Sequence, residues 1–157
     1  KVVVRPDGQV EAPGKVAWYL EGDANVARYT PGDTVGLTLR SAAGGPAVHV
    51  LTACAGVTED LAARIDGAAI LFFDGTLWTD DEMIVAGLAQ KTGQRMGHVS
   101  MSGPDGSIAR LAGLTIGQRV FVHINNSNPA LIPGSHQRQS LERAGWIIPE
   151  TGREFTT

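Results

Sequence analysis

The chain has 157 residues, 43% of them apolar, enough for one domain with a buried core or for part of a larger domain; this excludes a disordered tail. Its formal net charge is −3 and its 13 Lys and Arg are scattered, so neither nucleic acid nor an anionic membrane is expected as a partner. The longest wholly apolar run, Ala68 to Phe73, is far short of the roughly 20 residues that cross a bilayer, no charged-then-apolar leader is read, and Cys54 stands alone; together these predict a cytoplasmic protein without membrane insertion.

Short β-favouring runs lead the chain: "KVAWYLE" from Lys15, "TVGLTLR" from Thr34, "AVHVLTA" from Ala47, "AILFFDG" from Ala69 and, later, "RVFVHIN" from Arg119. Gly and Pro punctuation, "TPGD" at Thr30 and "AAGGP" at Ala42, predicts turns between antiparallel strands. After Val57 the period changes. Thr58 is placed to cap a helix in "TEDLAARIDG". Thr79 and Glu82 fit a capping box opening "TDDEMIVAGLAQ", where Asp80, Asp81 and Glu82 suit the positive end of the helix dipole. Pro104 marks a first turn in "PDGSIARLAGL", with Ile108, Leu111 and Ala112 on one face. A fourth helix is expected after Ser135, with Leu141 and Ala144 inward and Gly145 ending it. The tail "WIIPETGREFT" reads as a hairpin around Thr151 and Gly152, its first arm demoted to an edge by Pro149. This order predicts a layered α/β or α+β domain with helices on one sheet face, the strands at Ala69–Phe73 and Val120–Ile124 central.

Three donor residues stand at the mouths of separate apolar segments. Asp74 closes "AILFF" and is trailed by Gly75, which permits a close backbone approach, and Thr76; it suits either a cation ligand or an Asx-turn. His98 lies in the Gly- and Ser-rich "GQRMGHVSMSG", where an imidazole can reach a metal or simply face solvent. His123 breaks "RVFV" at a strand end and is followed by Asn125, Asn126 and Asn128, which can orient the ring or a substrate, or satisfy turn amides. His49, in a strand, and His136, at a helix start, read as structural or solvated, and Cys54 as a buried thiol. No phosphate-binding loop or G-x-S-x-G serine is present.

The segments "FFDGTLWTDDEMI", "KTGQRMGHVSMSGPDGSIARLAGL" and "RVFVHINNSNP" closely resemble the C-terminal half of the pyrroloquinoline quinone biosynthesis protein B family, a branch of the metallo-β-lactamase fold. "APGKVAWYLEG" and "GDTVGLTLR" are similar to the strands that precede that half. The resemblance implies a four-layer αββα sandwich of which residues 1–157 supply the C-terminal half of a single domain. It implies metal ligation by Asp74, His98 and His123, with His98 as third ligand or acid/base group, and Asn125 and Asn126 beside the cofactor or substrate. The family's remaining ligands, and its cysteine-rich segment, belong to the N-terminal half. A half sandwich would leave one sheet face uncovered, which favours association, so a homo-oligomer is also expected.

The activity so implied is a step in pyrroloquinoline quinone biosynthesis: hydroxylation of a tyrosine-derived Glu-Tyr intermediate by dioxygen at iron(II). Zinc-dependent hydrolysis and non-catalytic carriage of the quinone or its precursor towards the periplasm are the rival readings.

Overall fold

The computed structural model describes residues 2–4, 10–11, 16–22 and 35–157, with side chains described from residue 36 onward. In chain order the strands and helices are β1 (Val2–Val4), β2 (Val10–Glu11), β3 (Val16–Gly22), β4 (Val35–Ser41), β5 (Val48–Leu51), α1 (Glu59–Ile65), β6 (Ile70–Asp74), α2 (Glu82–Val85), α3 (Ser107–Arg110), β7 (Gln118–Val122), α4 (His136–Arg143), β8 (Trp146–Ile147) and β9 (Glu154–Phe155). Six strands form one sheet in the order β3-β4-β5-β6-β7-β8, and β2-β1-β9 form a second. The predicted turn at Thr30 lies outside the described residues.

The apolar runs of β5 and β6 bury side chains on both faces. From β3 to β5 pairing is antiparallel, as the Gly/Pro turn at Ala42 predicts; from β5 to β8 it is parallel. Along β6 alternate residues serve two cores. Leu71 and Phe73 join Ile65, Leu111, Phe121, Leu141 and Trp146 on the helix-covered side, whereas Ile70 and Phe72 join Val48, Val50, Val120 and Phe155 on the other. Helices therefore lie on one sheet face, as expected. The opposite face is not bare. Ile70, Phe72 and Val120 are fully buried, and Phe155 of β9 meets Phe72 edge-on with ring centroids 5.3 Å apart. The centre of that face is thus buried within the chain, while Leu37, Ala69 and Ile147 around it are only partly buried.

Local details correct several sequence expectations. The turn at Thr151 and Gly152 exists, but its arms do not pair with each other: β8 adds to β7 in the large sheet and β9 to β1 in the small one. The segment after Thr79 makes a helix of only four residues, because Gly87 adopts a left-handed conformation (φ 70°) and Leu88 N–H bonds back to Met83 C=O, closing the helix. Glu82 lies in its first turn, as the dipole argument expects, and Asp81 is the N-cap without a side-chain cap bond; acidic side chains also tie loops. Asp80 accepts from Gln94 N–H at 2.7 Å and Glu82 from Trp78 N–H at 2.7 Å. Helix α3 begins at Ser107, beyond Pro104, and ends before Ala112, which is consequently exposed. In α4 the Ser135 cap and buried Leu141 are as predicted, but Ala144 is exposed. Strand β7 stops at Val122, so His123 and Ile124 lie beyond it.

The parallel register then fixes where chemistry can occur. Asp74 pairs with Val122, so the carboxyl ends of β6 and β7 finish side by side and their next residues leave the sheet together. Open parallel sheets place their binding sites at such ends.

Candidate metal centre

Asp74 is the last residue of β6 and is fully buried. Gly75 lets the chain turn immediately: a Cβ there would come within 2.7 Å of Met101 Cε and 3.0 Å of Phe121 Cβ. The carboxylate accepts four hydrogen bonds. Oδ2 takes Cys54 N–H at 2.9 Å and His98 Nδ1 at 2.7 Å, and Oδ1 takes Thr76 N–H at 3.0 Å and the Thr76 hydroxyl at 2.5 Å. The Asx-turn and the meeting with imidazoles, alternatives in the sequence, coexist in one side chain.

His98 is delivered by the loop after a 3-10 turn at Gln94–Met96; left-handed Gly97 (φ 92°) turns the chain, and His98 N–H bonds Gly93 C=O. Val99 N–H bonds Cys54 C=O and Met101 N–H bonds Leu77 C=O, pinning the loop against the end of β6. His123 sits one residue past β7 at φ 55°, the one positive φ outside glycine among the described residues. Such a conformation costs of order 1–3 kcal/mol and persists where surrounding contacts over-determine it. Here the Thr76 hydroxyl reaches His123 C=O at 3.1 Å, Gly75 N–H bonds Val122 C=O and Asn125 N–H bonds Thr76 C=O.

The two rings stack with centroids 5.3 Å apart and an interplanar angle of 26°. Asp74, His98 and His123 each present a ligand atom within 4.8 Å of the others. Burial alone would push the Asp74 carboxyl up, but His123, His98 and Thr76 outweigh it and hold the carboxyl below its usual value. At 3.9 Å from Asp74, His123 acts through charge and not a direct hydrogen bond. The carboxylate in turn raises the His123 pKa, with partial burial opposing.

Two imidazoles and a carboxylate match the donor types and number that zinc or iron(II) takes from protein while keeping positions open. The ring of His123 is 53% exposed, so the group opens to solvent on that side. These residues therefore fit a divalent cation.

Asn125 donates its amide to Ser127 Oγ at 2.6 Å, and that hydroxyl donates to Glu82 Oε1 at 2.5 Å, latching the loop after β7 to α2. Asn126 is exposed, whereas Asn128 is buried and bonds Gly75 C=O at 3.1 Å and Ala130 N–H at 2.9 Å. His49 is buried against Thr38 at 3.1 Å, His136 is exposed at the start of α4, and the Cys54 thiol bonds Gly56 C=O at 3.1 Å; none belongs to the cluster. Sequence reasoning missed Thr76, whose hydroxyl contacts all three members. The available signal was its place two residues after a strand-closing aspartate.

The Beta-lactamase superfamily domain matches residues 10–124. The chain belongs to the beta-lactamase superfamily. Among its relatives, Coenzyme PQQ synthesis protein B of Rhodopseudomonas palustris is 59% identical over 147 residues, covering 93% of this chain and 48% of the relative. The protein of the same name from Methylorubrum extorquens is 51% identical over 140 residues, covering 89% and 46%. The crystal structure of Zn(2+)-bound PqqB from Methylobacterium extorquens aligns with a TM-score of 0.77 at 46% identity, covering 88% of this chain and 46% of that one. The chain thus spans about half the length of the curated relatives it matches. Among the described residues no helix is long and apolar enough to cross a membrane.

Proposed function

We propose that this chain supplies the C-terminal half of a metal-dependent protein of pyrroloquinoline quinone biosynthesis, and that Asp74, His98 and His123 hold its divalent cation. The observation that carries the reading is the convergence of a buried carboxylate and two imidazoles at the ends of adjacent parallel strands. The names of relatives that match most of this chain supply the pathway.

Within that reading the cation is iron(II), and the reaction is dioxygen-dependent hydroxylation of a small tyrosine-derived Glu-Tyr intermediate. Two histidines and one carboxylate leave positions at which bound iron(II) supplies dioxygen chemistry. Asp74 keeps its negative charge in the site, His123 offers its half-exposed ring to the open side, and His98 serves as third ligand or as the group that moves a proton. Asn126, exposed at the rim, is the amide better placed to meet substrate; Asn125 orients the loop through Ser127.

The test uses a polypeptide of the relatives' full length, loaded anaerobically with iron(II), and measures bound metal, oxygen uptake and isotope-labelled oxygen in the product. Oxygen uptake with label in the product supports the reading, and His123→Ala is expected to lose both metal and turnover. Full iron occupancy in His123→Ala would remove that residue from the site. A second reading, zinc and hydrolysis, is favoured by the zinc-bound relative; it predicts turnover without oxygen. Stoichiometric quinone binding without turnover would point to a carrier.

A further inference from the structure

The Thr76 hydroxyl lies 2.5 Å from Asp74 Oδ1, 2.8 Å from His123 Nδ1, 3.0 Å from His98 Nδ1 and 3.1 Å from His123 C=O, in a side chain that is itself buried. A hydroxyl has one hydrogen to give and two lone pairs to accept with. An ionised carboxylate only accepts, and it is the nearest and strongest acceptor present. The hydrogen is therefore committed to Asp74, and the oxygen faces the ring nitrogens as an acceptor. A ring nitrogen meeting an acceptor carries the hydrogen, which leaves Nε2 of that ring with its lone pair.

We propose that Thr76 is the positioning residue of this centre: through its hydroxyl it relays Asp74 to His123 and fixes the Nδ1–H form of that ring in the metal-free protein. The inference rests on the metal-centre reading for its purpose, but the hydrogen's position is testable without any metal. His98 has its own direct contact with Asp74 at 2.7 Å, so the dependence on Thr76 falls mainly on His123.

The experiment compares wild type, Thr76→Val, which keeps the shape and removes the hydroxyl, and Thr76→Ser, which keeps the hydroxyl. Two-bond proton–nitrogen correlations of the metal-free proteins read the ring forms, and competition with a chromophoric chelator reads Zn2+ affinity. Wild type and Thr76→Ser are expected to show the hydrogen on Nδ1 of His123. Thr76→Val is expected to show a mixture and to bind Zn2+ about 10- to 100-fold more weakly, the range for residues that orient a ligand. Hydrogen on Nε2 of His123 in metal-free wild type would overturn the proposal without any variant, as would a Thr76→Val protein with wild-type ring form and affinity. If Asp74→Asn and His123→Ala bind Zn2+ as wild type does, the metal centre is refuted, and the ring-form comparison still decides the role of Thr76.

Discussion

An aspartate stands on each side of β6, and both tie backbone amides in neighbouring loops. Asp66, at the end of α1, accepts Thr115 N–H at 2.7 Å in solvent and joins the loop entering β6 to the one entering β7. Asp74, at the exit, accepts Cys54 N–H and Thr76 N–H in full burial, and two imidazoles and a hydroxyl close around it as well. The first is a stitch in water, where one hydrogen bond contributes about 0.5–1.5 kcal/mol. The second carries charge into a dry place, where charge is tolerated because donors converge on it. The difference teaches that hydrogen-bonding type does not distinguish a structural carboxylate from a chemical one. What else the strand ends bring near it does.

Phe121 is fully buried and stacks on Trp146 with centroids 3.9 Å apart and planes at 12°. Phe121→Ala is expected to cost about 3–5 kcal/mol in chemical denaturation, the largest effect here. Asp74→Ala comes next: it removes the acceptor of the Thr76 N–H, at about 1–3 kcal/mol for a stranded buried amide, and abolishes metal binding by calorimetry. Gly75→Ala, which forces a methyl group against Met101 and Phe121, should destabilise by about 1–3 kcal/mol. Asp66→Ala should cost no more than about 1.5 kcal/mol and leave metal affinity unchanged. Equal losses from Asp66→Ala and Asp74→Ala would erase the contrast between the two ends.

The smallest effect sharpens the contrast through pH in the metal-free protein. Because the Asp74 pKa is lowered in the fold, its contribution is present above the ordinary carboxylate pKa and is lost as pH falls through the folded value. His123 has the opposite sign. Its pKa is raised above 6.5, so its contribution is complete below that pH and is lost as pH rises through the folded value. Melting temperatures of wild type and His123→Ala should therefore converge as pH rises above the ordinary imidazole value and through the folded one, and Asp74→Asn should remove that convergence. The change will be modest, since water screens a ring that is half exposed.

Much of this was legible in the chain itself. A short, β-favouring apolar run such as "AILFFDG" suits a strand buried on both faces, which β6 is, and Thr58 and Ser135 cap their helices as their chemistry suggests. The helix after Thr79 is shorter than its capping signal implies, because a cap marks where a helix starts and left-handed Gly87 sets where it ends. The tail makes a turn but no hairpin, because a local turn does not say which strands its arms will join.

Local sequence determined which segments are strands, which residues cap, and that a carboxylate and two imidazoles stand at loop mouths. Only the tertiary structure decided that these three meet, that a threonine hydroxyl lies among them, and that Asp66 stays a surface tie. The reason is that strand pairing and register are long-range. Asp74 reaches the neighbourhood of His123 through parallel pairing across 48 positions of chain, Asp74 to Val122, and no short-range pattern encodes that alignment.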